Sequence, residues 1–101
     1  MAGPHRHELP APPEVLGNQD ATEVLRAWIV GEGLHVSLQP AFEDPSVWGL
    51  LLVDVARHAA RAYAAEGGCT EAEALERILA MWRAELSSPT DLGQTSAVDL
   101  Q

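Results

Sequence analysis

Residues 23–40 read EVLRAWIVGEGLHVSLQP, and whether they form two strands or a helix and a strand decides the fold. The second half is the clearer. In LHVSLQ, Leu34, Val36 and Leu38 alternate with His35, Ser37 and Gln39, the period of two that a half-buried strand shows, and Pro40 ends the run. The first half admits two readings. Asp20-Ala-Thr-Glu23 has the form of a helix capping box, and Gly31 would suit a helix C-cap. Val24, Trp28, Ile29 and Val30 favour a strand instead, and the Gly31-Glu32-Gly33 turn follows them directly. The strand reading makes a β-hairpin. A two-residue loop would place Leu25, Ala27 and Ile29 beside Leu34, Val36 and Leu38, whereas a three-residue loop with a bulge would set Arg26 and Trp28 on that face. The first register gives the cleaner core.

A hairpin alone is marginal in water, so other parts of a dimer are expected to complete it, either strands of two chains joined into one four-stranded sheet, the preferred arrangement, or the helices of both chains shielding it. Downstream, Asp44-Pro45 offers a helix N-cap and a first-turn proline, and the helix runs to Gly67 as a natural C-cap. Thr70-Glu-Ala-Glu73 is a second capping box, opening a helix that continues to about Leu86. Its apolar stripe is Leu75, Ile78, Leu79, Trp82 and Leu86, with Glu73 and Arg77 as an i,i+4 pair on the outside. The Gly67-Gly68-Cys69 link is too short for anything but an antiparallel helical hairpin. The expected fold is therefore α+β: a β-hairpin followed by two antiparallel helices, β-β-α-α, with the helices packed on one face of the sheet.

The flanks differ in composition from this body. Residues 1–22 hold Pro4, Pro10, Pro12 and Pro13 and read as a Pro-rich N-terminal arm, with Leu9, Val15 and Leu16 available to dock it. Residues 23–88 form the single globular domain. Residues 89–101 are polar, without periodicity, and read as a disordered tail.

Three elements carry a resemblance. VLRAWIVGEGLHVSL, DPSVWGLLLVDVARH and the Glu-rich second helix together resemble a family of small bacterial proteins of unknown function, over about Glu8 to Asp91. That resemblance agrees with the fold and implies a bacterial, cytosolic setting. It transfers no catalytic or binding residue.

The charge balance limits the partners. There are 15 acidic residues against 6 basic ones, all of them Arg, for a net charge of −9. Phosphate backbones and anionic membranes need clustered Lys or Arg, so neither nucleic acid nor a membrane surface is expected. The chain has no apolar run of the roughly 18 residues a membrane span needs, and its first residues lack the apolar segment of a secretory signal. The lone Cys69 fits a reducing compartment, and the expected location is cytoplasmic.

The densest chemistry lies on the first helix, where Asp54, Arg57, His58 and Arg61 fall at i, i+3, i+4 and i+7 on one stripe. As a site, Asp54 would orient His58 while the arginines bind an anion; as ordinary surface, the stripe is the solvated side of an amphipathic helix. Paired His5 and His7 lack a third ligand, so no metal is expected. Cys69 precedes a helix N-terminus but has no base placed beside it. No glycine pattern for phosphate binding occurs, and no cofactor or catalytic residue is expected. The remaining signal is apolar. Val47, Trp48, Leu50, Leu51, Leu52, Val53 and Val55 cover nearly every direction of the first helix, and a helix apolar all round must be buried all round. One hairpin and one further helix cannot enclose it. The expectation is a small acidic non-enzymatic module that homodimerises and binds another protein, with Trp28, His35, Trp48 and Leu51 as interface candidates. The alternative is an anion- or small-molecule-binding protein using the helical stripe.

Overall fold

The structure, a computed structural model, describes residues 5–90 and 93–97. Its order is α1 (Pro13–Leu16), β1 (Leu25–Val30), β2 (Gly33–Leu38), α2 (Val47–Glu66), α3 (Glu71–Ser87) and β3 (Gly93–Ala97). The hairpin and the two long helices are those read from the sequence, in the order β-β-α-α. β1 and β2 are antiparallel with Leu25 opposite Leu38, Ala27 opposite Val36 and Ile29 opposite Leu34, so the two-residue loop is the one adopted. Gly31 makes it possible. Its φ of 61° is the left-handed value that the first loop position of a type II′ turn demands, and that a side chain resists. The competing capping box at Asp20 is not used: the Asp20 amide is bound by the Asn18 side chain at 2.9 Å in a local turn.

The question of what completes the hairpin has an answer from the far end of the chain. β3 lies parallel to β2, with Leu34 opposite Gly93 and Leu38 opposite Ala97, giving a three-stranded sheet in the order β1-β2-β3. Residues 93–97 are thus a strand, where the sequence reads as disordered tail. GQTSA has no alternation of apolar residues to announce it, and the ladder it joins is made by main-chain groups. β2 becomes a central strand, and β1 keeps an outer edge.

α2 begins at Val47, two residues after the expected Pro45. The Asp44 carboxylate accepts the Ser46 amide at 2.9 Å, while Val47, Trp48 and Gly49 donate to the carbonyls of Asp44, Pro45 and Ser46. These i→i−3 bonds are 3₁₀-type, which winds the entry turn tighter than an α-helix. The same bond from Ser46 holds the Asp44 carboxyl below its usual range. At the other end Gly67 (φ 86°) and Gly68 (φ 96°) turn the chain. α3 then opens on the expected capping box: Thr70 Oγ1 accepts the Glu73 amide at 3.0 Å, and Glu73 Oε1 accepts the Thr70 amide at 2.8 Å. With its carboxylate so engaged, Glu73 makes no ion pair with Arg77 among the described residues.

The two helices pack through small residues. Among the described residues Ala56 and Ala60 of α2 and Ala74 of α3 are the buried apolar ones, and Ala60 is fully covered. Small side chains at the seam let the helix backbones approach closely. The helices do not, however, take the expected place on the sheet within one chain: among the described residues no Cα of the strands lies within 8 Å of a Cα of α2 or α3. Ile29, on the face meant to receive them, is 73% exposed. No large side chain is fully buried among the described residues. The Cα radius of gyration is 15.6 Å, against about 13 Å for a compact chain of this length.

Candidate functional site

The α2 stripe stays spread out. Asp54, Arg57, His58 and Arg61 are all exposed. Arg61 Nη1 donates to His58 Nδ1 at 3.2 Å, and Arg61 Nε lies 3.5 Å from Glu71 Oε2 at the start of α3. Arg61 therefore ties the two helices together, and its bond to Nδ1 requires that nitrogen of His58 to be the unprotonated one. Asp54 and Arg57 have no hydrogen bond or ion pair among the described residues, so Asp54 does not orient His58 as the site reading requires. Cys69 is half-buried just before the α3 cap.

The more built place is where the arm meets β1. Trp28 and Arg26 project to the same face of β1, two residues apart, and Trp28 stands opposite His35 in the register. The arm folds over them. His5 meets Trp28 edge-on with ring centroids 5.2 Å apart, and the Arg26 guanidinium sits 5.9 Å from the Trp28 ring centre, within cation–π reach. Arg26 also pairs with Glu8 of the arm and with Glu23 at 2.9 Å. The hydrogen bond Arg26 donates to Glu23, then the one it donates to Glu8, raises the guanidinium pKa. A groove of about 600 Å³ lies between His7, Leu9, Pro12 and Val15 of the arm and Leu25 and Trp28 of β1. Its Arg26 is matched by the two carboxylates of Glu8 and Glu23. His35 curls back toward the turn: a Cβ built on Gly33 would lie 3.3 Å from its Nε2.

Of the interface candidates, Trp28 and His35 are therefore half-covered by their own chain. Trp48 packs edge-to-face on Phe42 with centroids 5.7 Å apart, and Leu51 is half-buried. His5 and His7 come together, the His7 amide donating to His5 Nδ1 at 3.2 Å, but no three potential ligands converge as a metal site among the described residues. Sequence reading missed Glu8 and Glu23 as partners of Arg26. Glu23 could have been found from its i,i+3 spacing; Glu8 could not, because nothing local specifies where the arm lies.

These features define a small α+β protein that leaves much apolar surface open. Its family is shown by direct comparison. Residues 8–90 match the family model described as Domain of unknown function (DUF5076), and the chain belongs to that family. Four chains of solved structures match as well. One, from the photosynthetic bacterium Rhodopseudomonas palustrus CGA009 and provisionally named a pyruvate dehydrogenase, is 55% identical, with all of both chains covered and a TM-score of 0.74. No curated protein matches. No helix among the described residues is long and apolar enough to cross a membrane.

Proposed function

We propose that this chain is a non-enzymatic interaction module that homodimerises and, as a dimer, binds a further protein. One observation carries the reading: large apolar side chains remain open on both the sheet and the helices, including Ile29 at 73%, Val30 at 64%, Leu50 at 72%, Met81 at 63% and Leu86 at 73% exposed. Apolar surface on this scale marks association surfaces. The net charge of −9 suits a basic surface on the further partner, because opposite potentials steer encounter. The dehydrogenase name stays with the Rhodopseudomonas protein. Arg26 here is held by Glu8 and Glu23, and Asp54, Arg57 and His58 are not drawn into a common site, so the residues of this chain give no reason to extend it.

A thermal-shift screen with anions and metabolites, run beside light scattering, tests the proposal. The expected result is a dimer whose melting temperature no small molecule raises. A ligand that stabilises the protein, with the gain lost in Arg57→Ala or Arg61→Ala, would replace this reading with that of a binding site on α2.

A further inference from the structure

We infer that in the homodimer the α2–α3 hairpin of each copy covers the sheet of the other, so that two layers are exchanged across a two-fold axis. The inference rests on the dimer reading above and adds which faces meet. The sheet supplies one half of the match. Leu25, Ala27, Ile29, Leu34, Val36 and Leu38 share one face of β1 and β2 by the observed register, and that face has no helix of its own chain upon it. The helical hairpin supplies the other half. Trp48, Leu51 and Val55 recur at i, i+3 and i+7 on α2, and Leu75, Leu79, Trp82 and Leu86 at i, i+4, i+7 and i+11 on α3, each set forming a stripe. Val55, Trp82 and Leu86 on these stripes are 49%, 40% and 73% exposed.

A domain is stable when a sheet face and a helix stripe are buried against another layer. Both halves of such a pair are present here, in one chain, and only partly covered. Sheet against sheet would leave both helical hairpins uncovered, and hairpin against hairpin would leave both sheets uncovered. Exchange covers all four surfaces in one symmetric arrangement, since an isologous contact uses every patch twice. The second copy is therefore the occupant whose chemistry the chain itself specifies.

The area agrees. The chain exposes 8678 Å², where a compact monomer of this size exposes about 5,500 Å². The surplus is about 3,100 Å², ample for the roughly 1,000 Å² or more per chain that an obligate homodimer buries. The remainder is left to the extended arm and other projecting segments. In this arrangement the α2 polar stripe is excluded from the mated layers and stays available to solvent.

Position-specific cross-linking reads the exchange directly. In a Cys69→Ser background, one population carries Ile29→Cys and a second carries Val55→Cys; the two are unfolded together, refolded, and treated with a short bis-maleimide. The expected product is a covalent dimer in which mass spectrometry finds the position-29 peptide joined to the position-55 peptide. A dimer that links only like positions, 29 to 29 or 55 to 55, overturns the exchange and leaves the dimer reading intact. A wild-type chain that remains monomeric overturns both. A double Ile29→Cys/Val55→Cys variant that links only within itself shows each hairpin covering its own sheet, and likewise refutes the exchange. The wild type supplies a check without substitutions: mixed ¹³C-labelled and unlabelled chains should give isotope-filtered NOEs between Ile29 or Leu34 methyls and those of Leu51 or Val55, and their absence in a proven dimer refutes the exchange equally.

Discussion

Ile29→Thr separates an open sheet from a covered one by magnitude alone. Threonine keeps the β-branch, so strand preference changes little. Ile29 is 73% exposed within one chain; if it is exposed in solution too, the substitution is a surface change worth within about 0.5 kcal/mol. If a partner covers it, the loss of a buried isoleucine is worth roughly 1.5–3 kcal/mol, and a trapped hydroxyl without a partner adds about 1–3 kcal/mol. About 2.5–6 kcal/mol per chain becomes about 5–12 kcal/mol per symmetric dimer, because the position occurs twice. At 1.4 kcal/mol per tenfold, the dimer should dissociate at least a thousandfold more readily. Sedimentation equilibrium over a concentration series measures the shift. A dissociation constant within threefold of wild type, with an unchanged melting temperature, would refute the claim that this face is covered.

Three further substitutions test the parts of the fold that lie within one chain. Ala60→Leu places extra volume in a seam with no free surface and should cost about 1–3 kcal/mol, while exposed Ala80→Leu should stay within about 0.5 kcal/mol; urea denaturation compares them. Thr70→Ala deletes the acceptor of the Glu73 amide and should cost about 1 kcal/mol, a drop of about 4–8 °C in a thermal melt. Asp44 has its folded pKa lowered by the Ser46 bond, so its contribution is present above the unfolded carboxyl pKa and fades as pH falls through the lowered folded value. Asp44→Ala should therefore melt below wild type at neutral pH and alongside it near pH 2, with Asp44→Asn intermediate at neutral pH, as circular dichroism can follow.

How much of this was legible depends on whether the information was local. The second strand was readable from the alternation of Leu34, Val36 and Leu38, whereas the register was open between two loops, because Gly31 and Gly33 both suit a turn, and only the cleaner core favoured the one adopted. The α3 start was readable because Thr70 and Glu73 satisfy each other's amides. The start of α2 was displaced by two residues, since Asp44 caps a 3₁₀ entry turn before the α-helix proper. β3 left no trace in the sequence, because a main-chain ladder asks little of the side chains in GQTSA. The arm's docking hangs on Glu8 reaching Arg26 across the intervening chain, a pairing no spacing rule supplies. At the candidate site, the stripe from Asp54 to Arg61 was rightly placed on one helix face, but periodicity is silent on whether neighbours converge. What the sequence stated most plainly, a first helix apolar in nearly every direction, matches the open apolar side chains of the folded chain.

A single copy of this chain leaves its layers uncovered, and in the proposed dimer a second copy covers them. Sedimentation equilibrium of the wild-type protein at low micromolar concentration, paired with melting curves over a hundredfold concentration range, tests it most directly. The expected result is twice the chain mass and a melting temperature that rises with concentration, as mass action requires when folding is coupled to association. A particle of one chain mass, melting cooperatively at a temperature independent of concentration, would contradict it.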